Sequence, residues 1–366
     1  MKRTKPPFRA DHVGSLLRPA ALKEAREKRA KGALSAADLK AVEDREIERV
    51  IKRQEEAGLQ AVTDGEFRRS WWHLDFLWGL DGAEKNVMDS GIAFAAVTTR
   101  NEGVKVTGKL GFTGHPMIEH FKFVAAHTKR MPKITIPAPS AIYGRPLKTP
   151  IDKATYPELG PFFADLGQAY RKAVRAFADA GCRYLQLDEV FIAMLCDPKY
   201  RQQMTDRGDD PAYLGETYGE LINTAMSDIP SDMTITMHLC RGNYKSTFMG
   251  KGGYEAVQEI LFNKINVHGY FMEYDDERSG GFEPLRMLPK GKQVVLGIMT
   301  TKTGKLESKD ELKRRIDQAS KYAPLDQLCI SGQCGFASTE EGNVLTEDEQ
   351  WAKIRRLVEV ADEVWG

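Results

Sequence analysis

The chain has 366 residues, of which 42% are hydrophobic and 29% are charged, and its formal net charge is +1. This length is enough to bury one large core, and the balanced charge lacks the basic excess that nucleic-acid-binding proteins carry. No apolar run is long enough to span a membrane, and the basic start leads into Pro6 and Pro7 rather than into a signal peptide. We therefore expect a single domain over residues 1–366 that binds neither nucleic acid nor membranes.

The five cysteines bear on the compartment in which the protein is expected to reside. An odd number at irregular spacings in a large chain favours a reducing compartment over a disulfide framework. Cys182, Cys196 and Cys329 are expected to be core or incidental thiols, because free cysteine often packs as a small hydrophobic residue. These observations predict a cytoplasmic protein.

Short β-rich runs alternate with longer amphipathic runs along the chain. Strands are predicted at 8–14, 61–64, 134–137, 184–188, 234–238, 270–273, 294–298 and 327–330. Helices are predicted at 38–57, 161–180, 213–227, 308–322 and 347–364. In the first of these helices Val42, Ile47, Val50 and Ile51 recur near helical spacing, and Gly58 ends it. About eight strands that alternate with helices are typical of an α/β protein of the (β/α)8 TIM barrel type.

One interruption of this pattern is predicted after the second strand, at about residues 71–130. Two β-like runs at 94–99 and 104–109 are close enough to form a β-hairpin. The insertion is expected to cover the loop end of the barrel or to mediate contact between the subunits of a homo-oligomer. Trp71 and Trp72 at its start either stack on a flat heterocyclic substrate or form the core of the insertion.

A His-x-Cys pair, His238 and Cys240, lies at the end of the predicted strand at 234–238. Residues two apart on a strand point to the same side, so the pair offers one nitrogen and one sulfur to the same metal ion. Glu273 ends the next predicted strand, and Cys334 lies in a Gly-rich turn after the last one. Together the four residues offer the N/S/S/O donor set of a tetrahedral Zn²⁺ site, and their scatter over strand ends is typical of a catalytic zinc with one replaceable ligand.

Each of these residues, taken singly, is more often a buried core side chain than a metal ligand. The His-x-Cys pair together with a later Gly-flanked cysteine favours the metal site. If Glu273 is the weak ligand, a substrate thiol displaces it and is held as a thiolate at neutral pH. We therefore assign the catalytic role to His238, Cys240 and Cys334.

Polar side chains follow most of the predicted strands at the point where each strand ends. Because barrel enzymes carry their chemistry on the loops after the strands, these side chains are expected to converge on one face. They are His12 and Ser15, Asp64 and Glu66, Asp188 and Glu189, His238 and Cys240, Glu273, and Cys334. For Asp64 and Glu189 an exposed loop position is the ordinary alternative.

At these residues the chain resembles, over nearly its whole length, the C-terminal catalytic barrel of the cobalamin-independent methionine synthase family. The zinc ligands of that family are a His-x-Cys pair, a Glu and a Cys followed by Gly. By this resemblance they fall on His238, Cys240, Glu273 and Cys334.

The segments with which that family binds the amino acid are also similar. Its Ile-Gly-Ser looks like Val-Gly-Ser at 13–15, its His-Gly-Glu like Asp-Gly-Glu at 64–66, and its Ile-Asp-Glu-Pro like Leu-Asp-Glu-Val at 187–190. The resemblance implies that Gly14, Ser15, Glu66 and Asp188 hold the amino and carboxylate groups of homocysteine.

Two departures from the family concern the methyl donor. Full-length members carry an additional N-terminal barrel that helps to bind the polyglutamate tail of methyltetrahydrofolate, and these 366 residues leave no room for one. The Asp-Ile-His-Ser segment, whose His is proposed to protonate the leaving folate nitrogen, aligns with Thr-Thr-Lys-Thr at 300–303, where Lys302 is a poor acid at neutral pH. The donor is therefore expected to be either methyltetrahydrofolate or a methyl-corrinoid carrier.

The sequence thus predicts a zinc-dependent methyltransferase that converts homocysteine to methionine, with two alternatives left open. The same superfamily includes zinc enzymes that alkylate coenzyme M with epoxides, and a screen of donor substrates separates the two chemistries. The other alternative is a barrel that binds a metal or an amino acid without catalysis, which thiol-dependent turnover would reject.

Overall fold

A parallel sheet of six strands forms the centre of the computed structural model, which describes residues 3–366. Numbered along the chain, the strands of this range are β1 (Ala61–Val62), β2 (Asp81–Val87), β3 (Glu102–Gly111), β4 (Met131–Pro132), β5 (Ile134–Pro137), β6 (Tyr184–Glu189), β7 (Thr234–Leu239), β8 (Gly269–Glu273), β9 (Gln293–Met299) and β10 (Leu328–Gly332). In the main sheet β5 to β10 are neighbours in chain order, and every pair is parallel. Their carboxyl ends therefore meet at one edge of the sheet.

The strands of the main sheet are buried on both faces, as is typical of parallel sheets in α/β proteins. Helices connect the strands: α1 (Ala20–Ala30), α2 (Ala36–Glu56), α3 (Leu74–Leu77), α4 (Pro116–His127), α5 (Leu159–Asp179), α6 (Phe191–Met194), α7 (Pro198–Asp206), α8 (Pro211–Ala225), α9 (Lys309–Ser320) and α10 (Glu347–Trp365). Short 3-10 turns lie at Pro139–Ile142, Tyr254–Ala256, Glu277–Ser279, Glu283–Met287 and Leu325–Gln327, and a π-helical turn lies at Ile260–Lys264.

Local sequence explains where the long helices begin and which side they bury. The Ser35 side chain accepts a hydrogen bond from the backbone N–H of Asp38 and caps α2. Ile47, Val50 and Ile51 form one buried stripe on that helix, and a capping box starts α10 in a similar way. All five predicted helices and seven of the eight predicted strands are confirmed, with ends that differ by at most two residues.

The predicted first strand at 8–14 is wrong, because only Ala10 in this segment forms a β-bridge, which pairs it in parallel with Ile330 of β10. The side chain of Asp11 provides local hydrogen bonds in place of backbone pairing with a neighbouring strand. Its carboxylate accepts hydrogen bonds from the backbone N–H groups of Phe8, at 3.1 Å, and His12, at 2.8 Å. Such bonds between side chain and backbone compete with strand pairing.

The hydrogen bonds of residues 3–366 do not close the main sheet into the predicted (β/α)8 TIM barrel. β1 pairs with β4, which directly precedes β5 at one side of the sheet, and Ala10 bridges to β10 at the other side. Between these two N-terminal segments, the Thr63 hydroxyl donates to the Gly14 carbonyl at 2.7 Å. A side-chain hydrogen bond takes the place of backbone strand pairing between these segments. The fold is a mixed α/β architecture.

The predicted hairpin has a different first strand. β3 covers the predicted run at 104–109, but its antiparallel partner is β2 at Asp81–Val87 and not the run at 94–99, where only Ala93 and Thr98 form an isolated bridge. β2 has few β-branched residues, yet it pairs because Val104 and Val106 of β3 are packed into the core. Strand propensity depends on this context.

Candidate metal centre and ligand pocket

Four side chains with metal-binding chemistry meet at the carboxyl edge of the main sheet. His238, Cys240, Glu273 and Cys334 each bring a donor atom to within 4.8 Å of the others, and all four side chains are buried. In the part of the chain that the structure describes, no other group of three or more His, Cys, Asp or Glu residues has this spacing. The four residues singled out in the sequence are therefore close together in space, and we call them the donor cluster.

Parallel strands bring these residues together. His238 lies in β7, directly beside Asp188 of β6, and Cys240 follows the end of β7. Glu273 is the last residue of β8, and Cys334 lies two residues beyond the end of β10. Because the carboxyl ends of neighbouring parallel strands point to the same edge, residues far apart in the chain become neighbours.

The two cysteines of the donor cluster share one site. Their Sγ atoms are 3.6 Å apart, and no disulfide links them. A hydrogen bond from the Cys240 thiol, with His238 alongside, holds the pKa of Cys334 well below its ordinary value, and the same contact raises the pKa of Cys240. A lowered thiol pKa favours the thiolate, which is the form of cysteine that binds a metal ion.

His238 completes the chemistry of a cation site. Both of its ring nitrogens are buried without a hydrogen-bond partner, which is uncommon for a buried polar group unless a ligand satisfies it. Burial lowers the pKa of His238, but Cys334, Asp188 and Glu273 together outweigh this effect and raise it. One nitrogen, two sulfurs and a carboxylate oxygen form a donor set that fits Zn²⁺.

Glu273 differs from the other members of the donor cluster because both of its carboxylate oxygens have protein partners. Oε1 accepts from the backbone N–H of Arg241 at 3.0 Å, and Oε2 accepts from the Arg278 guanidinium at 2.7 Å. The side chain has no exposed surface. Its charge is therefore partly neutralised within the protein.

A pocket opens beside the donor cluster. His238, Cys240 and Cys334 line it, whereas Glu273 does not. Five aromatic side chains form much of its wall: Trp71, Trp72, Phe94, Phe191 and Tyr244. The two tryptophans singled out in the sequence thus face a space where a ligand fits, next to the candidate metal centre.

Glu66 points a free carboxylate oxygen at this pocket. The residue has a φ of 61°, in the left-handed region that few residues other than glycine adopt. Its Oε1 accepts from the Thr135 hydroxyl at 2.8 Å and lies 3.4 Å from the Arg69 guanidinium, whereas the buried Oε2 has no partner. Burial raises the pKa of Glu66. An unpaired buried carboxylate oxygen in a pocket suits a ligand with a donor or a positive charge.

Asp188 is a second buried carboxylate in the pocket wall. Its Oδ1 accepts a hydrogen bond from the Gln186 amide at 2.7 Å. Burial raises the pKa of Asp188 to about 7, with a contribution from Glu66, while His238 opposes the shift. A buried acid whose pKa is raised by burial and by a neighbouring carboxylate is typical of a site that binds a cationic group.

Ser15 lines the pocket, but Gly14 does not. Gly14 has a φ of 135°, and a Cβ there would lie 2.7 Å from the Thr135 side chain. Glycine therefore allows the backbone to pass close to Thr135 at this position. A Cβ on Gly335 would lie 1.9 Å from the Ser15 hydroxyl, so this glycine leaves space for Ser15.

Three other strand-end residues do not line the pocket. His12 is buried beside a separate small cavity, and burial lowers its pKa to about 4. The Asp64 carboxylate accepts from the backbone N–H of Glu66 at 2.8 Å, and Glu189 accepts from the backbone N–H groups at the start of α6. These acids shape the loops that carry the lining residues.

Two of the pocket residues that were not singled out in the sequence carry buried polar atoms without a partner. His73 is buried with an unpartnered Nδ1, and burial together with Arg145 keeps its pKa well below the ordinary value. Asn243 donates to the Gly335 carbonyl at 2.8 Å, while its side-chain oxygen has no partner. The available signals were the position of His73 next to Trp72 and that of Asn243 shortly after the His-x-Cys pair.

Lys302, which aligns with the acid proposed for the family, lies outside the pocket wall. Its ammonium group is 3.3 Å from the Asp275 carboxylate, which also pairs with Arg278. Lys302 therefore belongs to an ion-pair network behind the donor cluster.

Comparisons with known proteins agree with this geometry. A family model described as the catalytic domain of cobalamin-independent synthase matches residues 8–363. The uncharacterized protein YxjH of Bacillus subtilis (strain 168) is 49% identical over all of this chain and 96% of its own length. A 5-methyltetrahydropteroyltriglutamate–homocysteine methyltransferase of Bacillus velezensis is 22% identical, over 95% of this chain but 42% of its own length.

Solved structures have the same fold. A crystal structure from Listeria monocytogenes, provisionally named a vitamin-B12-independent methionine synthase, is 39% identical, covers all of both chains and has a TM-score of 0.80. A B12-independent methionine synthase from Shewanella sp. W3-18-1, in complex with selenomethionine, has a TM-score of 0.74 over 97% of both chains, with 19% identity, and supports the fold alone.

No helix within residues 3–366 combines the length and the apolar character that a membrane crossing requires. The family match runs through every element that carries the donor cluster and the pocket. This chain belongs to the family of cobalamin-independent synthase catalytic domains.

Proposed function

We propose that this protein transfers a methyl group to the thiol of homocysteine and that its activity depends on zinc. The observation that carries the proposal is the donor cluster, in which His238, Cys240, Glu273 and Cys334 lie within 4.8 Å of one another beside a pocket that contains two buried acids. Zinc bound by these residues supplies a Lewis acid that keeps a thiol deprotonated near neutral pH.

The side chains around the pocket bind and orient the amino acid in this proposal. The unpaired Oε2 of Glu66 accepts a hydrogen bond from the substrate ammonium group, and Asp188 adds a second negative charge. Ser15 holds the carboxylate end, and Gly14 allows the close backbone approach to Thr135 that precedes Ser15. Fixing the amino acid at these points aims its sulfur at the donor cluster, which is the positioning effect that accelerates a transfer between two bound reactants.

In the overall reaction the thiolate sulfur forms a bond to the methyl carbon while the bond from that carbon to its carrier breaks. The electron pair of the broken bond stays with the carrier. Trp71 and Trp72 offer a flat apolar wall to the carrier, which we propose to be methyltetrahydrofolate or a methyl-corrinoid. The family and the activity for which the Bacillus velezensis relative is named support the folate, and the aromatic wall by itself does not distinguish the two carriers.

We also propose that the chain is one catalytic domain in which the segment around Ala10 and strand β1 complete an eight-membered TIM barrel. The parallel bridge from Ala10 to Ile330 and the pairing of β1 with β4 support this arrangement. The donor cluster then lies at the carboxyl end of the barrel strands, where enzymes of this fold carry their active sites.

A donor panel on zinc-loaded protein tests the proposed function. Methionine is expected from homocysteine with methyltetrahydrofolate or methylcobalamin as donor. Metal analysis is expected to find about one zinc per chain, as for a single catalytic zinc site with one open coordination position. Cys240→Ser should lose both the zinc and the activity. Cys196→Ser is the control, because Cys196 is also buried but lies outside the donor cluster.

Two results would contradict the proposal. Protein purified from zinc-replete medium without zinc, and unaffected by Cys240→Ser, would reject the metal centre. Zinc-loaded protein that forms no methionine with either donor but alkylates coenzyme M with an epoxide would reject homocysteine as the acceptor.

A further inference from the structure

The members of the donor cluster differ in how many hydrogen bonds their donor atoms already accept from the rest of the protein. The ring nitrogens of His238 have no hydrogen-bond partner, and the Cys240 and Cys334 sulfurs bond to each other at 3.6 Å, with a further contact of 3.9 Å from Cys334 to the Ser338 hydroxyl. Glu273, in contrast, accepts hydrogen bonds at both oxygens. Three members are therefore free to bind a cation, and the fourth is already shared with the protein.

Arg278 is the partner that matters most for this sharing. Its guanidinium donates to Glu273 Oε2 at 2.7 Å, and the two side chains are 7% and 0% exposed. The same group contacts Asp275 at 2.9 Å and Asp276 at 2.5 Å, and it lies 5.1 Å from the ring centre of Phe248. These other contacts hold Arg278 in place whether or not Glu273 binds a cation.

The network extends away from the donor cluster. Lys302 pairs with Asp275 at 3.3 Å, so two cations and three carboxylates form a chain that ends at Glu273. Neither Arg278 nor Lys302 lines the pocket, so Glu273 receives this positive charge from residues outside the pocket wall.

This arrangement has two physical consequences for a carboxylate that shares a cation. A charge-assisted hydrogen bond from Arg278 competes with a metal for the electron density of the same oxygen, and we infer that it weakens the bond from Glu273 to the metal. If a buried carboxylate dissociates from a metal and has no other partner, it becomes an unpaired buried charge, which is strongly unfavourable. Arg278 and the Arg241 N–H remove that obstacle, because they keep Glu273 paired after it has left.

We propose that Arg278 is a positioning residue that makes Glu273 the exchangeable ligand of the metal centre, so that a substrate thiol takes its place while Glu273 stays buried on Arg278. The inference rests on the proposed zinc-dependent thiol chemistry and deepens it. Arg278 touches neither the substrate nor the metal and acts only through Glu273.

The test compares Arg278→Gln, which keeps an amide donor but loses the charge, with Arg278→Lys, which keeps the charge. Zinc affinity is measured by competition with a chromogenic chelator, and homocysteine affinity is measured separately by calorimetry on the zinc-loaded protein. In Arg278→Gln zinc should be held about tenfold more tightly and homocysteine bound about tenfold more weakly, which is the scale of effects from residues behind a metal ligand. Arg278→Lys should restore both affinities to near the wild-type values.

Arg207→Gln is the control for loss of a partly buried ion pair, because Arg207 pairs with Asp209 away from the donor cluster. Neither affinity should change in this variant. Thermal unfolding of all variants reports whether they fold.

The opposite signs of the two affinity changes separate the proposal from a structural role. If Arg278 only supported the shape of the site, Arg278→Gln would hold zinc 10–100-fold more weakly, as loss of an orienting partner does, and that result overturns the proposal. Unchanged zinc and homocysteine affinities also overturn it, while the proposed function stands. Protein that binds no zinc rejects both.

A measurement on the wild-type protein covers the case in which Arg278→Gln does not fold. X-ray absorption at the zinc edge should find that one oxygen ligand is replaced by sulfur when homocysteine is added. Retention of that oxygen would show that Glu273 does not exchange and would overturn the inference.

Discussion

Glu66 combines two features that rarely occur together, a left-handed backbone and a buried carboxylate oxygen without a partner. Both are unfavourable in an empty protein, and such strain is common where a ligand is bound. Glu189, another buried acid of this edge, has its oxygens satisfied by Ser140 and by the start of α6. The two glutamates are buried to a similar extent, but Glu66 has an oxygen available to a ligand, whereas Glu189 uses its oxygens to stabilise a loop.

Glu66→Gln is expected to weaken homocysteine binding to the zinc-loaded protein by roughly 1.5–3 kcal/mol, because it removes a charge-assisted hydrogen bond to the ammonium group. Calorimetry with homocysteine measures the change. Glu189→Gln is the control, since Glu189 is buried but does not line the pocket, and its affinity should match that of the wild type. Equal affinities for both variants would remove Glu66 from the binding site.

Asp188→Asn is expected to have a similar effect on homocysteine affinity, roughly 1.5–3 kcal/mol, since the second negative charge of the pocket is lost. Zinc content should remain at the wild-type level, because Asp188 is not in the donor cluster. Metal analysis alongside the binding measurement separates the two effects. A loss of zinc together with normal homocysteine affinity would assign Asp188 to support of His238 instead.

Among the helices, α4 begins with an unusual cap. The Nδ1 atom of His115 accepts a hydrogen bond from the backbone N–H of Met117 at 3.1 Å, while Nε2 lies 3.2 Å from the Phe76 carbonyl and donates to it. This pattern requires a neutral ring. Burial lowers the pKa of His115 to about 4, against 6.5 for an ordinary histidine.

The lowered pKa makes this cap sensitive to acid. In the unfolded chain His115 takes up a proton below about pH 6.5, whereas the folded protein does so only near pH 4, so the folded state binds fewer protons between these values. The contribution to stability is complete above pH 6.5 and is lost as the pH falls toward 4.

His115→Asn keeps a capping side chain but removes the titration. Between pH 7 and pH 4.5 the free energy of unfolding of the zinc-free variant should fall by roughly 2 kcal/mol less than that of the zinc-free wild type. Urea unfolding at the two pH values measures the difference. An equal loss in both proteins would mean that His115 is already accessible to protons in the folded state.

At the scale of the whole molecule, the donor cluster joins segments that are distant in the chain. It ties the ends of β7 and β8 to the turn that follows β10. A metal that binds only the folded arrangement stabilises the molecule by mass action, by about 4 kcal/mol at a free concentration 1,000 times the dissociation constant.

Removal of zinc is therefore expected to lower the melting temperature by about 5 °C or more, as measured by calorimetry with and without a strong chelator. Cys240→Ser should start from the lower melting temperature and respond little to the chelator. A wild-type melting temperature that the chelator leaves unchanged would argue against a bound metal that spans these strands.

Much of the fold was predictable because its elements depend on local pattern. Apolar spacing and caps identify helices such as α2, and uninterrupted apolar runs identify the strands of the main sheet. The strand expected at 8–14 failed because Asp11 bonds to its own backbone, and the one expected at 94–99 failed because pairing with β3 was decided by packing. The pairing of β2 with β3 has no signal in the local sequence, whereas the bonds of Asp11 are local but compete with a strand pattern that reads equally well.

The sequence by itself determined the chemical types in the site: the spacing of His238 and Cys240, the carboxylate at Glu273 and the Gly-flanked Cys334. Only the tertiary structure decided how these groups are used, because distances between strand ends and the partners of buried charges depend on the packing of the whole chain. It placed Arg278 behind Glu273, left Glu66 Oε2 without a partner, and removed Lys302 from the pocket. The identity of the donor residues is thus determined by the sequence, whereas the charged partners that surround them are determined by the fold.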